Sequence, residues 1–562
     1  MKLNKIHLLL TILMFMLISC KDTETPIEIS PNDFHDAVDK KDSNQVLNFN
    51  DYAHYFSEFN KKDNELYRQY IPNAEVIPFM EANIPLLDIP DKTIEKTYYF
   101  RWWTFRKHIN KTPNGFVITE FLPEVPWAGK YNTINCPAAY HIYEGRWLKN
   151  DIYIKDNINY WLTEADNTRK YSFWVANSTL AFAKVIGDTT FATNHLDNLI
   201  ENYKGWENER LDDPDGLFWQ NDNMDGMELS AGGRVIDKGK DELSTLAIRP
   251  TINSYMYGDA KAIAEIARLE KKNDISQNYE AKANHLKTLL EEKLWNDSLN
   301  FFTILPRYYT EQDKPINIRE LIGYTPWYFN LPDDDLKYAK AWGKVMDTTA
   351  FAAPYGLTTV EKSHPYFRIS YEGHECQWNG PSWPFATTQT LKSFSNFLNN
   401  YENNGTLSKV DYFQLLKQYS SSHKITWENG ESQMWIDENM NPFTGDWISR
   451  TRLKSLNNGN WSDKKGGIER GKDYNHSGFC DLIINDLIGL KPQLNNTIVI
   501  QPMIPNDWDW FCLDKVNYHG KLLTILWDKS GKKYNKGKGY FVIYNGQTLF
   551  SSINITDVNI KI

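Results

Sequence analysis

NSYMYGDAKAIAEIARLEKKND, residues 253–274, decides the fold. Ala260, Ile263, Ala264 and Ala267 recur at helical spacing and form one face made only of small or compact side chains. Such a face lets helix axes approach closely, which is what a helix enclosed by other helices needs. The flanking helices read differently. Leu196, Leu199, Ile200, Tyr203 and Trp206 make one apolar stripe, and Tyr279, Ala283, Leu286, Leu290 and Leu294 make another, with polar residues elsewhere. Further helices are expected around 173–185, 382–399, 410–419 and 479–487. Enclosed and one-faced helices, joined by long aromatic loops, predict a mainly α fold built as a toroid of helical hairpins over 48–490, with a mixed lead-in.

After Leu490-Lys491-Pro492 the periodicity changes. TIVIQPMIP, KVNYHG, LLTILWD, GYFVIYNG and QTLFSSINI are short β-branched and aromatic runs bounded by Asn, Gly, Lys and Pro. They predict a small C-terminal β-domain over 491–562, too small to stand alone and therefore packed on the helices. The chain has 562 residues, 20 Trp and 32 Tyr, a supply of flat amphipathic rings that suits both a large core and stacking on sugars. A net charge of −10 without a basic run gives no footprint for nucleic acid. Five cysteines without CxxC spacing signal neither a zinc site nor a disulfide framework.

The N-terminus MKLNKIHLLLTILMFMLISC has a basic start, an apolar run too short for a comfortable membrane span, and a cysteine at its end. Residues 1–19 are expected to be a signal peptide. Leu17-Ile18-Ser19-Cys20 resembles a bacterial lipobox, which implies a lipid anchor on Cys20. Residues 20–47 read as a flexible, polar tether that resembles the export tag of surface lipoproteins in Bacteroidetes. The expected place is the bacterial outer membrane, on its cell-surface or periplasmic side.

Three segments concentrate acids among aromatics: DNMDGMELSAGGR from Asp222, YEGHECQWNGPSWPFATTQTL from Tyr371, and MWIDENMNPFTGDW from Met434 with its continuation GGIERGKDYNHSGFCDLI from Gly466. Gly226-Met227-Glu228-Leu229-Ser230 resembles the Gly-Trp-Asp-Phe-Ser segment of trehalases and of glycoside hydrolase family 63 relatives. Gln377-Trp378-Asn379-Gly380-Pro381, with Trp383-Pro384, is similar to their Gln-Trp-Asp-Gly-Pro loop. Glu438-Asn439 before Asn441-Pro442 resembles their Glu-Lys-Tyr segment, and Gly466-Gly467-Ile468-Glu469 their Gly-Gly-Glu-Tyr segment. The motifs keep the family's order, and the nearest group is the mannosylglycerate-hydrolase-like glycosidases of the six-hairpin superfamily.

The resemblance implies an (α/α)6 toroid and an inverting hydrolase of α-linked oligosaccharides or polysaccharide fragments. It assigns the general acid to Glu228, with Asp225 as rival, and the general base to Glu469. Chemically, one protonated carboxyl must give its proton to the leaving oxygen while a second carboxylate activates water. Candidate substrate-binding residues are Trp127, Arg249, Glu375, Gln377, Trp378, Trp383 and Glu438. No cofactor is expected: the acids from Asp222 do not follow the EF-hand pattern, leaving only a structural calcium in another loop open. Two alternatives stay open at this level, a non-catalytic glycan-binding lipoprotein and a polysaccharide lyase on the same toroid.

Overall fold

The computed structural model describes residues 45–562 except 212–215, 241–243, 311 and 370–373. The signal peptide, Cys20 and most of the tether lie outside the described residues.

Six helical hairpins close into a ring. Each runs from an outer to an inner segment: Lys92–Lys107 to Ala138–Gly145, Ile152–Thr163 to Val175–Ile186, Leu196–Arg210 to Pro250–Leu269, Asn273–Lys293 to Thr325–Tyr328, Leu336–Ala339 to Pro384–Asn400, and Lys409–Ser421 to Leu482–Leu487. Burial distinguishes the inner helix of the third hairpin from the outer helix that follows it. Pro250–Leu269 is buried along almost its whole length, whereas Asn273–Lys293 buries only one stripe, including Tyr279, Ala283, Leu286 and Leu290. A Cβ added at Gly258 would overlap the Phe329 ring, so the inner helix needs glycine at that contact. Pro250, Pro326 and Pro384 open three inner segments, where the missing N–H had no helical partner to lose.

The ring closes through charge. The buried Glu144 carboxylate, on the first inner helix, accepts hydrogen bonds from the N–H groups of Phe479, Cys480 and Asp481 at 2.7, 2.8 and 2.6 Å. Those groups begin the last inner segment, so Glu144 satisfies three donors that no helical carbonyl can reach. Arg146 returns the contact, giving Nε and Nη2 to Asp481 Oδ1 at 3.0 and 2.7 Å. Trp147 Nε1 donates to the same oxygen at 2.8 Å.

The C-terminal part contains two antiparallel sheets. Leu490–Pro492, Thr497–Ile500 and Val558–Lys561 form one. In the other, Trp510–Tyr518, Lys521–Asp528, Gly539–Tyr544 and Gln547–Ser552 follow in order, with Leu86–Asp88 added at the Trp510–Tyr518 edge. That first strand comes from the lead-in, which sequence periodicity did not predict. His519 N–H donates to the Val185 carbonyl at 3.0 Å and docks the sheet on an inner helix. The expected tether ends earlier than 47: the N–H groups of Val46 and Leu47 bind Asp514 Oδ2 at 2.7 and 2.8 Å, and Leu47 is buried.

The ring closure is testable. Asp481→Asn removes the negative partner of a buried guanidinium and is expected to cost about 3 kcal/mol, read as a lower urea unfolding midpoint. An unchanged midpoint would show that the Arg146–Asp481 contact does not hold the ring shut.

Candidate active site

The hairpins leave long loops at the N-terminal ends of the inner helices, and these loops surround a cavity of about 390 Å³. Orphan N–H groups make those helix ends electropositive, a suitable place to gather carboxylates.

The loop before the third inner helix sorts its acids by direction. Asp222 points inward, accepting from Thr245 N–H at 3.1 Å and Ser230 Oγ at 3.2 Å. Asp225 is buried against Arg249, Nε to Oδ2 at 2.7 Å, with the Thr251 hydroxyl on the same oxygen. Gly226 then turns through φ 75°, a left-handed conformation natural to glycine, and Leu229 follows at φ 56°. Between these turns Glu228 faces the cavity, partly exposed to it. Its carbonyl accepts the Trp378 N–H at 3.0 Å, which ties the acid to the aromatic wall. Trp378 and Trp383 stack with centroids 4.4 Å apart and planes at 15°. Burial, then the nearby carboxylates of Glu438, Asp222 and Glu375, push the Glu228 pKa up to about 7 despite one backbone hydrogen bond that lowers it.

A second group of acids is organised by Arg470. Its Nε and Nη2 donate to Glu438 Oε1 at 2.8 and 2.5 Å, and its Nη1 donates to Glu375 Oε1 at 3.1 Å. The guanidinium lies against Phe121 and Trp127, 5.5 and 5.1 Å from their ring centroids. Lys465 Nζ binds both Glu375 oxygens at 2.7 Å. Burial would raise the Glu375 pKa, but Arg470, His374 and Lys465 outweigh it and bring the value down to about 2. Glu120 shows the opposite balance. It is buried, accepts a short hydrogen bond from the Tyr474 hydroxyl, and is pushed up to about 8, mainly by burial and also by Glu438 and Glu228. One cavity thus holds carboxyls in both protonation states at neutral pH.

Of the residues expected from sequence, Glu228, Trp127, Glu375, Trp378, Trp383 and Glu438 line this cavity. Gln377 is buried behind the wall, its carbonyl accepting Trp383 Nε1 at 2.8 Å. Arg249 and Asp225 are buried as each other's partners and do not line the cavity, which removes Asp225 from the position of a proton donor. Glu469 does not reach the cavity either. Gly466, Gly467 and Glu469 all adopt positive φ, 93°, 75° and 45°, and the chain reverses so that Arg470 points in. Glu469 instead binds Arg450, Nη2 to Oε1 at 2.5 Å. Residues that sequence reasoning missed are Glu120, Cys376, Lys465, Arg470 and Tyr474. Arg470 beside Glu469, and an acid within the apolar run VITEFL, were the available signals. Among the described residues, no three His, Cys, Asp or Glu side chains group as a metal ion would require.

A profile of the mannosylglycerate hydrolase MGH1-like glycoside hydrolase domain matches residues 130–477, and one of the glycosyl hydrolase family 65 C-terminal domain matches 490–549. Among solved structures, a chain titled sialidase is similar at 41% identity with a TM-score of 0.83, over 92% of this chain and 45% of that one. This chain therefore spans less than half the length of that relative. Similarity extends to the glycoside hydrolase family 63 mannosylglycerate hydrolase from Thermus thermophilus in complex with glucose, at 12% identity and TM-score 0.46, over 69% of this chain and 99% of that one. The neutral trehalase from Saccharomyces cerevisiae matches at 11% identity and TM-score 0.41, over 63% and 72%.

The Glu375 clamp has a pH signature. Its folded pKa of about 2 lies below the usual 4.5, so it stabilises the fold above pH 4.5 and loses that contribution as pH falls toward 2. The shift corresponds to about 3 kcal/mol. Glu375→Gln is expected to lower the urea midpoint at pH 7 and to approach wild type as the pH is brought down to 3. A deficit that stays constant with pH would contradict the clamp.

Proposed function

The chain belongs to the mannosylglycerate hydrolase MGH1-like glycoside hydrolase family, and from that premise we propose that it is a glycoside hydrolase cleaving α-linked oligosaccharides or polysaccharide fragments with inversion. One observation carries the reading. Glu228 holds its proton up to about pH 7 in a cavity it shares with Glu438, a carboxylate paired to a buried arginine. The first suits proton delivery to a leaving oxygen, the second suits abstraction of a proton from water. The base role passes from Glu469 to Glu438 in this reading because Glu438 is in the cavity and Glu469 is engaged by Arg450 outside it.

In the cycle, the sugar ring lies on the Trp378–Trp383 wall. Glu228 protonates the glycosidic oxygen as the bond to the anomeric carbon breaks. A water activated by Glu438 attacks the opposite face, and its proton passes to Glu438. Exchange with solvent then returns the proton to Glu228. No metal or cofactor enters these steps.

The test is a panel of 4-nitrophenyl α-glycosides of glucose, mannose and rhamnose, an α-sialoside, and α-linked disaccharides, with the first-formed anomer followed by proton NMR. Inverted product is expected, and on the disaccharides kcat/KM should fall above pH 7 as Glu228 loses its proton. On the disaccharides, Glu228→Gln and Glu438→Gln are each expected to lose at least about 10³-fold in kcat, while Glu469→Gln stays within a few-fold of wild type. Retained configuration would overturn the inverting assignment, and a Glu469→Gln variant as inactive as Glu438→Gln would return the base role to Glu469. Glycan binding without turnover by the wild type would support a binding protein instead.

The reading includes an anchor. We propose that Cys20 is lipidated and holds the enzyme on the outer membrane, supported by the lipobox-like LISC. Cys20→Ser is expected to move the protein from the membrane to the soluble fraction, and an unchanged distribution would contradict the anchor.

A further inference from the structure

Glu438 carries two differently occupied oxygens. Oε1 accepts both Arg470 Nε and Nη2, which uses its two lone-pair directions. Among the described residues, Oε2 accepts one hydrogen bond, from the Cys376 thiol at 3.2 Å. Only Oε2 therefore has a lone pair left to receive the proton of an attacking water. Cys376 lines the same cavity and is partly exposed to it; Cys136 also borders the cavity but is buried, as are Cys480 and Cys512.

We propose that Cys376 is a positioning residue for Glu438: its S–H donates to Oε2, fixes the rotation of the carboxylate and leaves one lone pair of that oxygen facing the water. The inference rests on the reading of Glu438 as general base. The backbone supports the orientation, since the Cys376 N–H donates to His374 Nδ1 at 3.1 Å and holds the loop. Burial first, and then the charges of Glu438, Glu228 and Glu375 that face the thiol, push its pKa well above the ordinary value against the opposing charge of Arg470. The group therefore stays S–H at the pH of turnover and acts as a donor. Glu438 in turn faces Arg470, Asp437, Glu120, Glu228 and Tyr474. Among the described residues, the hydrogen bond to Oε2 comes from the thiol and from none of these groups.

The experiment compares wild type, Cys376→Ala, Cys376→Ser and Glu438→Gln on the 4-nitrophenyl α-glycoside that wild type turns over fastest. Nitrophenolate departs without help from Glu228, so this substrate isolates the base step. Cys376→Ala is expected to lose about tenfold in kcat with KM within about twofold. Its acidic limb of kcat/KM should move up by about half a pH unit, because the carboxylate loses a donor that favoured its charged form. Cys376→Ser keeps an O–H donor and is expected to stay within about threefold of wild type, with the wild-type limb. A Cys376→Ala variant with wild-type kcat and pH profile overturns the proposal, and so does a Cys376→Ser variant as impaired as Cys376→Ala. Glu438→Gln separates the two levels: if it keeps wild-type turnover, or if no glycoside is cleaved, the base reading falls and the proposal with it. If it is inactive while Cys376→Ala is unaffected, only the thiol's role falls.

Discussion

The candidate site depends on the buried charge of Arg470. Removing a guanidinium from water costs several kcal/mol unless carboxylates and good hydrogen-bond geometry offset it. Glu438 and Glu375 supply that offset, and Phe121 and Trp127 cover the planar face. The consequence is electrostatic sorting. Glu375, which touches Arg470, is held down to about 2, and carboxyls that share the cavity without touching the guanidinium, Glu228 and Glu120, are raised by burial and by neighbouring acids. One cation thus helps to set the different environments of the acids that share the cavity.

The fold delivers this arrangement because a ring of hairpins places all its outer-to-inner loops at one end. Glu228, Glu375, Glu438 and Arg470 are far apart in sequence, yet each precedes the N-terminus of an inner helix. Closing the ring requires the last inner segment to meet the first, and Glu144 with Arg146 makes that junction from a buried carboxylate and a buried guanidinium. The same device, a charge buried against its complement, recurs at the seam and at the site. The C-terminal sheets brace the far side by docking on Val175–Ile186 and by holding Val46 and Leu47.

Much of this was legible in the sequence. The small face of Pro250–Leu269 gave the enclosed helix, and the stripes of its neighbours gave the outer tier. The order of the motifs led to Glu228 and to the wall of Trp378 and Trp383. What spacing does not encode is the direction of a side chain within an irregular turn. Glu469 and Arg470 are adjacent, and left-handed backbone at Gly466, Gly467 and Glu469 decides which of them enters the cavity. Asp225 stays a rival to Glu228 in the sequence for the same reason, and in the structure Arg249 holds it away from the cavity. Glu120 was hidden in an apolar run, and Leu86–Asp88 pairs with a strand more than four hundred residues away, a register that no local pattern specifies.

Glu228 keeps its proton near neutrality because it is buried, with Glu438 as a neighbouring acid. The most direct measurement is a pH titration of the glutamate side-chain carboxyl carbons by 13C NMR, with the Glu228 signal assigned by its absence in Glu228→Gln. A midpoint near pH 7 that falls when Glu438 is replaced by Gln is the expected result. A Glu228 midpoint near 4.5, unmoved by that substitution, would contradict it.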